Sequence, residues 1–398
     1  MVSVEKLLDD PIAQVRGAPY LLEPHTPGGT ALRIGVVAPP WFPVPPVRYG
    51  GTEAVVSLLV EGLTGAGHDV TLFASGDSRT HARLVAPFPE GRAAHLGQTQ
   101  PELLHALAWV AESGDFDVIS DHSGPLGLTL SNLTPTPFLH TVHGALAGEA
   151  GELYRAACQA TPDAALVALT HSHRRTCPEL PWAATIPNAI ALADHPCRSH
   201  RGGEYLFWLG RFSPDKGPVV AIDVARAAGM PLVLAGKMRD ECERRYFEEE
   251  IRPRLNDRIT YAGEVGPRER VGLLHGARAL INPIAWDEPF GLAMVEAMAC
   301  GVPVIAPARG SVPEVVVHGH TGWIASTVDE MSAAVARCDE IDPRECRAIA
   351  ERHFSPQRMV RDYLRALQTV IDLSRAPARG TSALLPQVAS PLSQALSC

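Results

Sequence analysis

One stretch, INPIAWDEPFGLAMVEAMACGVPVIA from Ile281 to Ala306, constrains the fold more than any other part of the chain. Its apolar start predicts a short strand ending at Pro283, then a loop that carries Asp287 and Glu288 into a helix opening near Gly291. Gly301 and Pro303 force a turn, and Val304 to Ala306 begin another buried strand. Such a strand, loop, helix, strand unit belongs to a parallel α/β sheet, whose ligands bind at the carboxyl ends of the strands. The loop is where chemistry is expected.

Pro289 keeps Glu288 extended, and Phe290, Gly291 and Leu292 offer backbone N–H groups that have no partner at a helix start. With the positive end of the helix dipole they suit a phosphate. A carboxylate just ahead of that cradle can accept hydrogen bonds from hydroxyls beyond the phosphate; one inside the helix, Glu296, can accept both hydrogens of a vicinal diol such as a ribose. On spacing alone the pair reads equally well as a helix-start charge and a solvated one. Glu296 tips the balance, because Ala293, Met294, Val295, Ala297, Met298 and Ala299 surround it, and a charge buried there requires a partner from the protein or a ligand.

The run EPFGLAMVEAMACGVPVIA resembles the glutamate-pair signature of retaining glycosyltransferases of the GT-B fold, glycosyltransferase family four, or group 1. The resemblance implies that Glu288 contacts the donor sugar's hydroxyls, that the amides of Phe290, Gly291 and Leu292 hold sugar and phosphate, and that Glu296 takes the ribose.

At 398 residues the chain is long enough for two ordinary domains. A net charge of −9 gives no basic footprint for nucleic acid. The cysteines show no C-x-x-C pair and no zinc spacing, and the opening MVSVEKLLDDPIAQVRG lacks an apolar segment, so reduced thiols and a cytoplasmic location are expected. Ser123 to Gly148 is free of charge and long enough to span a bilayer, yet its prolines and histidines point to buried strands and site loops. Peripheral membrane contact stays open.

In the first half, RIGVVA (Arg33 to Ala38), a proline-rich loop, a helix from Ala54 to Ala66 and a strand from Asp69 to Ala74 form a βαβ unit. Gly50 and Gly51 at the helix start would let a phosphate approach closely, or simply make a turn capped by Thr52. No G-x-G-x-x-G is present, which argues against a dinucleotide site. Further strands are expected at 118–120, 137–142 and 165–169, two of them leading into His122 and His143, where an imidazole can donate to a hydroxyl or phosphate oxygen. The similarity of PFLHTVHG to a family segment implies that His143 reaches the donor sugar, with His140 packing and His122 between these roles. The Gly50–Gly51 loop, by the same resemblance, faces the donor. His171 and His173 have metal-ligand spacing but lack a third ligand, and are read as opening a helix. TIPNAI reads as a strand resembling the end of the family's first domain, with Ala189 and Ala191 where glycine and aspartate are usual; Asn188 could still cap or bridge the domains.

In the second half, Arg211 and Lys216 follow the apolar YLFWLG just before a helix at Pro218. They read either as a solvated basic turn or as cations that neutralise a diphosphate, and the resemblance to the family's LGR…KG segment implies the second. PLVLAGK and ITYAGEV supply strands on either side of a charged helix at 240–255, and the resemblance sets the loop Gly263 to Val265 beside the nucleotide base. Glu314 is read as a helix cap. A helix pair at 328–350 precedes a long amphipathic helix at 355–373.

The fold expected is therefore α/β, GT-B, with two Rossmann-like domains facing across a cleft. Its divisions are a leader (1–31), an acceptor domain (32–190), a linker (191–204), a donor domain (205–354), a helix returning to the first domain (355–375) and a disordered tail (376–398). The expected activity is transfer of a sugar from a nucleotide diphosphate sugar to an acceptor hydroxyl with retention, by front-face attack, without metal or cofactor. The readings set beside it are a hydrolase or epimerase of the same fold and a non-catalytic nucleotide-sugar binding protein; a dehydrogenase lacks its glycine fingerprint.

Overall fold

The computed structural model describes residues 31–375. The tail at 376–398, and all of the leader except residue 31, lie outside the described residues. Two all-parallel sheets carry the molecule. The first has seven strands, β1 (Arg33–Val37), β2 (Asp69–Phe73), β3 (Arg83–Val85), β4 (Val118–Asp121), β5 (Phe138–Thr141), β6 (Leu166–Ala168) and β7 (Trp182–Thr185), in the order β3-β2-β1-β4-β5-β6-β7. The second has six, β8 (Tyr205–Leu209), β9 (Leu232–Ala235), β10 (Ile259–Tyr261), β11 (Ala277–Ile281), β12 (Val304–Ala306) and β13 (Gly322–Ile324), in the order β10-β9-β8-β11-β12-β13. Strand order reverses beside β1 in one sheet and beside β8 in the other, which is where open α/β sheets bind their ligands.

Helices cover both faces, so the central strands read as unbroken apolar runs rather than alternating ones; Ile34, Val36 and Val37 of β1 are fully buried. In the first half the helices are α1 (Gly51–Gly65), α2 (Thr99–Glu112), α3 (Pro125–Leu130), α4 (Glu149–Ala160) and α5 (His171–Thr176). In the second they are α6 (Pro218–Ala227), α7 (Glu241–Tyr246), α8 (Pro267–Gly276), α9 (Leu292–Ala299), α10 (Val312–Val315), α11 (Val328–Ala336) and α12 (Pro343–Phe354). The last helix, α13 (Pro356–Arg375), crosses back. Its Met359, Val360, Tyr363, Leu367 and Ile371 recur at helical spacing and join Ile34, Val56, Leu59 and Leu63 in the core of the first half. Gly62 of α1 makes the crossing close, since a Cβ there would lie 2.3 Å from Val360 Cγ2.

Two strand expectations shift. The strand expected at Ile281 to Pro283 is β11, which ends at Ile281; Asn282 still donates to Ile305 O (2.9 Å), after which Pro283 brings no N–H and the chain turns into the loop. TIPNAI is not a strand beyond Thr185: Ile186 makes one more ladder bond, to Ala168 O (2.8 Å), before Pro187 stops it. The charged helix at 240–255 is α7 followed by a wide helical turn at Phe247–Ile251 and a tight one at Arg252–Arg254. No helix among the described residues is long and apolar enough to cross a membrane.

Candidate active site

The loops at the carboxyl ends of β8, β9, β10 and β11 bring the expected cations and carboxylates together. Past β8, a short turn at Pro214–Lys216 ends at Gly217, whose φ of 67° and closeness to Pro283 O, 2.1 Å from where a Cβ would stand, leave room for glycine only. That turn delivers Lys216 to Glu288: Nζ donates to Oε1 at 2.7 Å and lies 4.6 Å from the Trp286 ring centroid, with each side chain only 15% exposed. Arg211 donates through Nη1 to Glu243 Oε1 (2.9 Å) and lies 3.7 Å from Asp215 Oδ2. Glu243, 5% exposed, also accepts from Arg239 N (2.5 Å), so one buried carboxylate fixes the guanidinium and the next loop together.

The loop from residue 285 to 291 is held on both sides. Gly310 N donates to Asp287 Oδ1 (3.2 Å), Ser311 N to Glu288 O (3.0 Å) and Ser311 Oγ to Phe290 O (2.6 Å), while from the first half Thr170 Oγ1 donates to Pro289 O (3.0 Å). Gly291 caps α9 in a left-handed conformation (φ 86°), and among the described residues no side chain caps the first turn, which leaves N–H groups at the helix start for another acceptor. Phe290 itself packs in the core against Phe354, ring centroids 5.7 Å apart, leaving only its main chain for a ligand. Val265 likewise turns into the core at 7% exposure. Glu296 is 8% exposed and has found a protein partner: Arg270 Nη2 of α8 lies 3.1 Å from its Oε1.

Across the cleft, a Cβ on Gly51 would stand 3.0 Å from Leu292 Cδ1, so the N-termini of α1 and α9 meet. Two helix dipoles converge there with their positive ends, which favours an anion between them. His143 sits at the end of β5, its Nε2 sharing a 2.9 Å hydrogen bond with His122 Nδ1; His122 Nε2 lies 3.2 Å from Ser120 Oγ. Burial above all, then the neighbouring histidines, lowers the pKa of His143 to about 3 and holds His122 well below its ordinary value, so both are neutral imidazoles near pH 7. His140 is structural, as expected: it bonds Asp121 Oδ2 at 2.5 Å and the Tyr154 hydroxyl at 3.0 Å, fully buried.

His171 and His173 do open a helix, α5, with the Thr170 side chain accepting from His173 N. No group of three or more metal-ligating side chains occurs among the described residues. Glu314 caps a helix, though not its own. Its Oε2 and Oε1 accept from His171 N (2.8 Å) and Ser172 N (2.6 Å) of α5, tying the two halves together. Asn188 lies at another tie, where Arg358 Nη2 of α13 donates to Pro187 O (2.6 Å) and Asn188 O (3.1 Å). Sequence reasoning passed over Arg270, Glu243 and the cross-cleft role of Glu314; the one hint was that Glu296 required a partner.

Comparisons with known proteins find similarity across both halves of the chain. The model "Glycosyltransferase Family 4" matches residues 49–193, and the model "Glycosyl transferases group 1" matches 198–351. A phosphatidyl-myo-inositol mannosyltransferase from Mycolicibacterium smegmatis is 27% identical over 350 residues, 80% of this chain and 86% of that protein. Among solved structures, AviGT4, a glycosyltransferase involved in avilamycin A biosynthesis, is 25% identical with a TM-score of 0.63, covering 86% of this chain and 98% of that one. Anabaena HepE in complex with UDP-glucose shares the fold at a TM-score of 0.66 and 17% identity, covering 85% of this chain and all of that one. With both halves matched and both sheets in GT-B order, the chain belongs to the group 1 glycosyltransferases and is a glycosyltransferase enzyme.

Proposed function

We propose that this enzyme transfers a sugar from a nucleoside diphosphate sugar to an acceptor hydroxyl with retention at the anomeric carbon, in the cytoplasm and without a metal. The observation that carries the reading is the convergence of Arg211, Lys216 and the N-termini of α1 and α9 on one cleft, with Glu288 beside Lys216 and Glu296 one helix turn further in. The two helix starts add to Arg211 and Lys216, each already beside a protein carboxylate, in compensating a diphosphate. HepE, of the same fold, was solved in complex with UDP-glucose, which supports a nucleotide-sugar donor.

Retention needs either a protein nucleophile or attack from the leaving-group side. Glu288 is held by Lys216, Asp121 is buried against His140, and His143 is a neutral imidazole, a poor nucleophile at an anomeric carbon. Front-face attack needs none of them. The anomeric C–O bond to the diphosphate breaks, the acceptor oxygen bonds the same carbon on the same face, and its proton passes to the departing phosphate oxygen. The protein then stabilises charge and positions the reactants.

Two results test this. The product formed in excess chelator, followed by proton NMR, is expected to keep the donor's anomeric configuration and to appear at the rate seen without chelator; an inverted product refutes retention, and magnesium or manganese restoring a lost rate refutes the charge assignment. Donor incubated without acceptor is expected to be nearly stable, whereas rapid release of a free or epimerised sugar favours the hydrolase or epimerase reading. His143→Ala is expected to keep its melting temperature and lose about tenfold or more of its transfer rate. A large drop in melting temperature with transfer retained makes His143 a packing residue instead.

A further inference from the structure

Beyond β9 two cations, Lys237 and Arg239, reach the seam between the halves, and among the described residues neither is paired with a carboxylate. Their close neighbours are rings. Lys237 Nζ lies 3.1 Å from the Tyr49 centroid and 5.0 Å from that of Phe42, and Arg239 Cζ lies 4.9 Å and 5.8 Å from the same two. Both rings belong to the proline-rich loop at residues 39–50 of the first half, and pack edge to face 5.8 Å apart. An aromatic face stabilises a cation above it, but compensates only part of the cost of holding two half-buried like charges against the same two rings.

The surrounding acids do not complete the compensation. Glu243 is taken by Arg211 and by the main-chain N–H of Arg239. Glu53, at the start of α1, is 3% exposed, and burial raises its pKa to about 7. Glu264, on the loop after β10, is exposed and acts from a distance. Burial first, then Arg239, lowers the pKa of Lys237 to about 8. The pair lies on the same sheet edge as Arg211 and the 263–265 loop, at the ends of neighbouring strands β8, β9 and β10.

We propose that Lys237 and Arg239 form a second anion site, for a phosphate-class group, at the seam under Tyr49 and Phe42. The group can come from the donor nucleotide or from an anionic acceptor. Only that choice of source rests on the cleft being a donor site; the anion site itself does not.

The test is calorimetry on the full chain, comparing the parent with the double variant Lys237→Met, Arg239→Met. The probes are inorganic phosphate and whichever of UDP, GDP and ADP binds the parent most tightly. The variant is expected to bind one phosphate fewer, or to bind phosphate about tenfold more weakly. If the donor fills the site, affinity for the nucleoside diphosphate falls by a similar factor and phosphate no longer binds the saturated parent. If the acceptor's group fills it, nucleoside diphosphate affinity is unchanged, and phosphate binds the saturated parent but not the saturated variant. Equal phosphate and nucleotide binding by parent and variant overturns the proposal. If no nucleoside diphosphate binds the parent while the phosphate difference persists, the donor reading fails and the anion site stands. Lys237→Gln alone, which keeps the stem over Tyr49, serves if the double variant does not fold.

Discussion

Lys216→Ala is expected to lower kcat by about two orders of magnitude or more, and to weaken donor binding by less. The ammonium is placed to meet charge that grows as the diphosphate departs, so its loss raises the barrier more than it disturbs the ground state. The fold should survive, because the turn is held through main chain: Trp208 Nε1 donates to Lys216 O at 3.1 Å, and Gly217 keeps its left-handed conformation. Glu288 loses its 2.7 Å partner in this variant, so part of the effect will be carried by a carboxylate free to move. Steady-state kinetics with an unchanged melting temperature checks the prediction. Turnover equal to the parent's would remove Lys216 from the reaction.

The second large effect is expected at Glu296. In Glu296→Ala the Arg270 guanidinium, only 22% exposed, is left without its carboxylate, at a cost of about 1–3 kcal/mol in stability. If Glu296 also accepts both hydroxyls of a ribose, affinity for the bare nucleoside diphosphate falls about tenfold or more, since hydrogen bonds to a charged group are worth about 1.5–3 kcal/mol each. Glu288→Ala should behave differently, with bare nucleotide affinity retained and discrimination among donor sugars lost. Calorimetry that found nucleotide affinity untouched in Glu296→Ala would contradict the ribose assignment. Arg270→Met provides the control, for it frees the carboxylate without deleting it.

Local pattern made much of this legible before any coordinates. The run from Ile281 to Ala306 gave strand, loop and helix, and the apolar neighbours of Glu296 signalled a paired charge. Its partner was not legible, because Arg270 sits in the mixed-charge PRERVG, where nothing separates it from a solvated arginine until the fold places α8 beside α9. Glu243 in DECERR and Glu314 in SVPEVV were hidden for the same reason: each acts on a residue far along the chain, and periodicity reports only neighbours. β3 was missed because it is short and half exposed, with no apolar alternation to mark it. TIPNAI was misread because β-branched residues favour a strand while Pro187 removes the N–H that would continue it.

The chain passes between the halves twice, and the passages lie side by side. Ile190 N donates to Phe354 O at 3.2 Å, Arg358 clasps Pro187 and Asn188, and the Glu314 cap of α5 lines the same small cavity as Pro187 and Phe354. With the Thr170 to Pro289 bond, these contacts gather where the chain crosses between the halves. That seam also holds the starts of α1 and α9 face to face, so a ligand arriving there meets both helix ends aimed at the same point.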